Sequence, residues 1–231
     1  MTTAFDKDLE LIFQKLTSDR QVKQALDFLK QDAPNTIAQQ KELVVIEAPT
    51  FQEKQRSLHY AQMLKAAGLQ DVTIDEKFNV YGKIYGSGKT GKSVLLEGHL
   101  DTVFSFGTVT DVIEKDGKLY GRGIADMKGS IGLAAALAPE FIARGLATPL
   151  HFAFSYDEEI GCIGARSLIA DLAYAPCLPR LCLVGEPTEM QVVAGHKSVR
   201  SVKCRVRGQE AHSATNQGVN AIEAAARLIV H

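Results

Sequence analysis

Apolar residues recur three and four positions apart through the first part of the chain. Leu9, Ile12, Phe13, Leu16, Val22, Ala25, Leu26 and Leu29 keep that spacing, which predicts helix over residues 5–29. Thr17-Ser18-Asp19 interrupts the pattern and offers an N-cap for a second helix. Residues 32–36, with Pro34 among them, read as a break, and residues 36–47 as helix again. Another amphipathic helix is predicted over residues 52–67, stopped by Gly68.

The texture then shortens. Residues 72–75, 79–85 and 94–99 read as strands, and residues 115–118 as the turn of a hairpin leading into residues 119–122. An alanine-rich helix is expected over residues 127–144, kinked or shortened by Pro139. Residues 150–156 and 181–185 look like buried strands, with a helix over residues 162–172 between them. Strands alternating with helices argue for an α/β fold: a mixed sheet flanked by helices on both faces. After Pro187 the pattern changes. Residues 191–194 and 199–206 alternate like a half-exposed antiparallel sheet, and residues 218–230 form a helix with Val219, Ile222, Ala226 and Ile229 on one face. The expected organisation is a catalytic domain over residues 1–189 and the start of a second, α+β domain over residues 190–231.

Composition narrows the function classes. The 231 residues carry 26 basic and 27 acidic side chains, a net charge of −1, so nothing marks a nucleic-acid or anionic-membrane partner. The longest apolar stretches fall far short of a membrane span, and the first thirty residues lack the features of a signal peptide. Four cysteines, Cys162, Cys177, Cys182 and Cys204, show no CxxC spacing; they read as reduced structural thiols of a cytoplasmic protein. Ser87-Gly88-Lys89-Thr90-Gly91-Lys92 lacks the GxxxxGK[ST] spacing of a phosphate loop and reads as a solvated turn.

Candidate chemistry is concentrated in four acidic clusters. The apolar run 93–98 ends in His99-Leu100-Asp101. Residues two apart on a strand share a face, and a metal-binding imidazole usually needs a carboxylate or carbonyl on its other nitrogen. Asp126 follows the glycine-rich bend Gly121-Arg122-Gly123 and precedes a small-residue helix; a carboxylate there either caps the helix or bridges two metal ions. Asp157-Glu158-Glu159 ends the run 152–156. Three adjacent carboxylates are either a solvated turn or a division of labour, one Glu binding metal and its neighbour acting as general base. Glu186 follows the apolar residues 181–184. His59 and His151 read as structural, and His231 as a frayed terminus. Taken together, His99, Asp126, Glu159 and Glu186 make a mixed nitrogen and oxygen set that suits zinc better than calcium or magnesium.

In the order and spacing of these motifs the chain resembles the dinuclear zinc deacylases and peptidases, a family that includes acetylornithine deacetylase, succinyl-diaminopimelate desuccinylase, glutamate carboxypeptidase and peptidase T. The resemblance implies that His99 and Glu186 bind one zinc, Glu159 the other, and that Asp126 bridges them. It implies that Glu158 is the general base, that Asp101 orients the histidine, and that the Asp126-Met127 bond is cis. Cobalt or manganese are its possible substitutes for zinc. Gly195-His196-Lys197 and Ala211-His212-Ser213 resemble the start of the family's inserted dimerisation domain, where a histidine matching His212 reaches the other subunit's active site and stabilises the oxyanion; Asn220 matches a polar position nearby. Gly185-Glu186-Pro187-Thr188 with those two motifs resembles the acetylornithine deacetylase branch most closely. Ile46-Glu47-Ala48-Pro49-Thr50 and residues 98–104 resemble peptidase-like branches, a mosaic.

The resemblance therefore implies amide hydrolysis of N-acyl amino acids, N-acetylornithine first, with short peptides as the alternative substrates, in a cytoplasmic homodimer. Family members continue past the position of His231, with a last histidine ligand for the second zinc. The expectation is of a truncated chain whose helical apolar face over residues 219–229 seeks a partner; a fragment that binds metal without turnover is the contrasting expectation.

Overall fold

A computed structural model describes residues 4–88, 91–108, 111–172, 178–195, 197, 201–215 and 217–230. His196, His231 and Cys177, and parts of the turn at residues 87–92 and of the segment 199–206, lie outside them. The chain divides into two compact units, Met1–Val192 and Val193–His231.

Helix α1 (Ala4–Ser18) ends where Asp19 begins the next helix, as expected: Asp19 Oδ1 accepts the amides of Gln21 and Val22 at 2.7 and 3.1 Å. Helix α2 (Arg20–Val45) then corrects the reading of a break at residues 32–36, because it runs through Pro34. An interior proline forfeits one backbone hydrogen bond. Here Asp32 takes the side chains of Asn35 (3.1 Å) and Thr36 (2.9 Å) on the helix surface. Farther along, α2 packs on a later helix and Gln40 Nε2 donates to the Ile124 carbonyl at 2.7 Å. Tertiary packing overrides the local breaker. Helix α3 (Lys54–Ala66) stops before Gly68, whose φ of +91° suits glycine.

The sheet of the first unit has five strands in the order β1-β2-β6-β3-β7: β1 (Gln70–Ile74), β2 (Val80–Ile84), β3 (Ser93–His99), β6 (Leu150–Ser155) and β7 (Pro179–Val184). Strands β1, β2 and β6 pair antiparallel, and β3 runs parallel to both β6 and β7. The short strands β4 (Ile113–Lys115) and β5 (Lys118–Tyr120) form a separate hairpin. Helix α4 (Gly129–Arg144) covers one face with α3, burying Tyr60, Leu64, Ile131, Ala135, Phe152 and Phe154; it also runs on unbroken through Pro139, against expectation, because its apolar face is buried along the sheet and α2. Helix α5 (Ile163–Leu172) covers the other face, where Leu168 packs with Leu95 and Ala153. The fold is thus the expected mixed sheet with helices on both faces. No helix of the described residues is long and apolar enough to cross a membrane.

In the second unit the described parts of residues 191–206 form no strand, which corrects the alternating-sheet reading; alternation of side chains supplies no partner for the backbone groups. Gln209 and Val219 make an isolated bridge. Helix α6 (Ala221–Val230) starts at Asn220, whose Oδ1 accepts the amides of Ile222 and Glu223 at 3.0 and 3.3 Å. Ile222, Ile229 and Val230 are each more than four-fifths exposed.

Candidate metal centre

Three parallel strands deliver their C-terminal ends to one rim. His99 lies opposite Ser155 in the β3–β6 register, and Glu97 opposite Val184 in the β3–β7 register. The Gly185 amide extends that ladder by donating to the Glu97 carbonyl at 3.0 Å. The segments 156–159 and 185–186 therefore leave the sheet on either side of His99.

The fourth contributor comes from outside the sheet. Ile124–Lys128 forms a tight turn before α4, with a cis Asp126-Met127 bond and Asp126 and Met127 outside helical angles. Met127 tucks under β3, and the His99 amide donates to its sulfur at 3.0 Å. A Cβ on Gly98 would meet Met127 Cε at 2.7 Å and one on Gly185 the same atom at 2.9 Å, so the Met127 side chain lies close under both glycines. Lys128, 1% exposed, reaches back to the carbonyls of Arg122 and Gly123 at 3.4 and 3.3 Å and ties the bend together. Asp126 makes no capping bond to α4; its Oδ1 faces His99.

The His99 ring is almost wholly buried, and its two nitrogens look in different directions. Nδ1 lies 3.1 Å from the carbonyl oxygen and 3.3 Å from Oδ1 of Asp101. Nε2 lies 3.0 Å from Asp126 Oδ1, 3.6 Å from Glu186 Oε1 and 4.0 Å from Glu158 Oε2. An Nδ1–H held by Asp101 leaves the Nε2 lone pair facing three carboxylates, the tautomer a cation requires. Two overlapping groups have ligand atoms within 4.8 Å of one another: His99, Glu158 and Glu186, and His99, Asp126 and Glu159. The geometry thus brings together His99, Asp101, Asp126, Glu158, Glu159 and Glu186. It places His212 in the second unit, exposed, with its Nδ1 accepting the Ala214 amide at 3.1 Å.

Electrostatics confirm the crowding. Burial alone would lower the His99 pKa, but Asp101, Asp126 and Glu186 outweigh it and raise it to about 9. Burial raises Glu159 and Glu186, and for each the Asp126 charge adds to the rise. Carboxylates packed this closely repel one another unless a cation sits among them. One imidazole with several carboxylates, sharing two overlapping groups, fits a pair of divalent ions.

Two neighbours escaped the sequence reading, and one residue does more than expected. Asp101 does more than face the histidine: its Oδ1 and Oδ2 accept the Glu158 and Glu159 amides at 3.0 and 3.2 Å, and Thr50 Oγ1 donates to Oδ2 at 3.1 Å. Glu53, 2% exposed, accepts the Asp157 amide at 3.0 Å, and burial pushes its pKa up to about 7. Its polar, helix-start setting carried no signal of burial. Cys162 was read as a structural thiol; it is exposed instead, and its Sγ donates to Glu158 Oε1 at 3.3 Å. Its position three residues after Glu159 was the available clue.

Fold and rim together define a protein with a candidate two-metal centre at the strand ends of an α/β sheet. Residues 95–230 match the model of peptidase family M20/M25/M40, and the chain belongs to that family. It is 37% identical over 202 residues to acetylornithine deacetylase of Myxococcus xanthus, covering 81% of this chain and 51% of that protein. With acetylornithine deacetylase of Proteus mirabilis it shares 39% over 161 residues, covering 67% and 40%. The chain thus spans about half the length of the curated relatives it matches, or less. In fold it is similar to a tripeptidase of Staphylococcus aureus (TM-score 0.63, 21% identity, 85% of this chain and 55% of that one). Human carnosine dipeptidase 1 is similar too (TM-score 0.57, 23% identity, 69% and 40%).

Proposed function

We propose that this chain carries the metal-binding half of a zinc-dependent amidohydrolase that removes the acyl group from N-acyl amino acids, N-acetylornithine first among them. The observation that carries the reading is the convergence of His99 with carboxylates from three separate segments, Asp126, Glu158-Glu159 and Glu186, on one rim. The identity to two acetylornithine deacetylases supports the choice of substrate.

In this reading His99 and Glu186 would hold one zinc and Glu159 the other, with Asp126 shared between them. When bound, the zinc pair lowers the pKa of water towards neutrality and polarises the amide carbonyl. Glu158 takes the proton from the attacking water and returns it to the departing amine. Its position suits that traffic: Oε2 turns towards His99 while Oε1 is held by the Cys162 thiol. Asp101 keeps the imidazole in its orientation and tautomer. Residues 190–231 begin the dimerisation domain, through which His212 of a second copy supplies an oxyanion donor; one such donor is worth roughly 3–4 kcal/mol in comparable sites.

The test pairs metal content with hydrolysis on one sample, screening acetylated amino acids against dipeptides. Two zinc ions per chain with deacetylation support the reading. Preferred cleavage of dipeptides moves the substrate class to peptides, and one ion or none without turnover makes this chain a binding fragment. Glu158→Ala is expected to abolish turnover while zinc stays bound; surviving turnover removes Glu158 from its role.

A further inference from the structure

Glu53 occupies the residue before α3, where a carboxylate ordinarily accepts amides of the helix's own first turn. It makes no such bond. Its side chain is buried and turned away from its helix, with Oε1 accepting the Asp157 amide at 3.0 Å. Asp157 Oδ1 in turn accepts the Phe51 amide at 2.6 Å. The segment before α3 and the loop after β6 are thus joined twice, in opposite senses.

The same loop is held at its next two residues by Asp101, at 3.0 and 3.2 Å. Three consecutive amides, those of Asp157, Glu158 and Glu159, each end on a buried carboxylate oxygen. Asp157 is in the left-handed region, φ +48°, a turn that aims successive N–H groups to one side. Glu53, Asp101 and Asp157 lie close enough to look like a cation site. In this structure a carboxylate oxygen of each accepts a backbone amide.

We propose that Glu53 is a positioning residue: its carboxyl oxygen accepts the Asp157 amide and so, together with Asp101, sets Glu158 and Glu159 against His99. This rests on the reading of Glu158 as proton carrier and Glu159 as zinc ligand. The clamp itself does not: its bonds run to Glu53 and Asp101, and neither is a zinc ligand in that reading.

Glu53→Gln keeps an oxygen that can accept the Asp157 amide; Glu53→Ala removes it. Amide hydrogen exchange at residues 157–159 is measured on metal-free protein, and zinc affinity by competition with a chromogenic chelator. We expect Glu53→Ala to speed exchange at those amides at least tenfold and to weaken zinc binding 10–100-fold, the range for supports of metal ligands. Glu53→Gln restores both to near wild type. Wild-type exchange in Glu53→Ala overturns the clamp. Loss in Glu53→Gln equal to that in Glu53→Ala overturns the role of the amide-accepting oxygen, and Glu53→Gln remains readable if the alanine variant fails to fold. A protein that binds no zinc sinks the proposed function alone, since the exchange pattern still decides the clamp.

Discussion

Strands β6 and β7 both run parallel to β3, one on each side, and both are apolar segments that end in an acid. Their environments differ sharply. Phe152 and Phe154 of β6 are 1% and 2% exposed, whereas Leu181 and Leu183 of β7 are 52% and 51% exposed. β6 has a strand on each side and helices over both faces; β7 pairs along one edge among the described residues. The loops that follow inherit the difference. After β6, Asp157, Glu158 and Glu159 have their amides bound by carboxylates. After β7, the register with β3 continues through the Gly185 amide, and Glu186 approaches His99 at 3.6 Å. Similar sequence signals thus give a pinned ligand loop in the sheet's centre and a looser one at its edge.

The largest test of that contrast is energetic. Phe154→Ala removes a ring packed edge-on against Tyr60 at 4.7 Å between centroids and is expected to cost about 3–5 kcal/mol in urea unfolding. Leu183→Ala, half exposed, is expected to cost less than about 1 kcal/mol. Equal losses would mean that β7 is as well covered in solution as β6. Next comes Asp101→Asn, which unpins the Glu158-Glu159 side of the rim and leaves the β7 side untouched. Zinc affinity is expected to fall roughly 10–100-fold; an unchanged affinity would show that the pinned loop adds nothing to the site.

The smallest effect concerns β6 alone. His151 is half-buried opposite Lys83, and burial, then the Lys83 charge, lowers its pKa. The folded state therefore binds this proton less readily than the unfolded chain. The stabilisation is fully present above the ordinary histidine value near 6.5 and is lost as pH falls from there towards the lowered one. His151→Gln is expected to flatten that part of the stability curve slightly, read from urea midpoints at several pH values. A slope unchanged by the substitution would move its cause elsewhere.

Much of this architecture was legible because it is local. Apolar runs closing on His99, Asp157 and Glu186 read as strands ending in acids, and strand ends of a parallel sheet share a rim. The breaks read at Pro34 and Pro139 failed for one reason: packing of α2 and α4 on each other outweighs a lost hydrogen bond of about 3 kcal/mol or more. The described parts of the strands expected over residues 191–194 and 199–206 form none, because period-two patterning states a preference and supplies no partner. Glu53 escaped notice because nothing local distinguishes a buried glutamate before a helix from a solvated cap. Cys162 lies beside Glu158 only because α5 starts directly after the ligand loop.

The order of side chains alone determined the strand-then-acid motifs, the helix that starts at Asp19 and the candidate donors, since each depends on neighbours within a few residues. Tertiary structure decided which strand lies in the middle, which carboxylates are buried, and that residues 53, 101 and 157 meet behind the rim. Those outcomes depend on contacts between segments 44 to 106 residues apart. Only the assembled sheet with its covering helices creates the low-dielectric interior in which a carboxyl must find a partner or keep its proton.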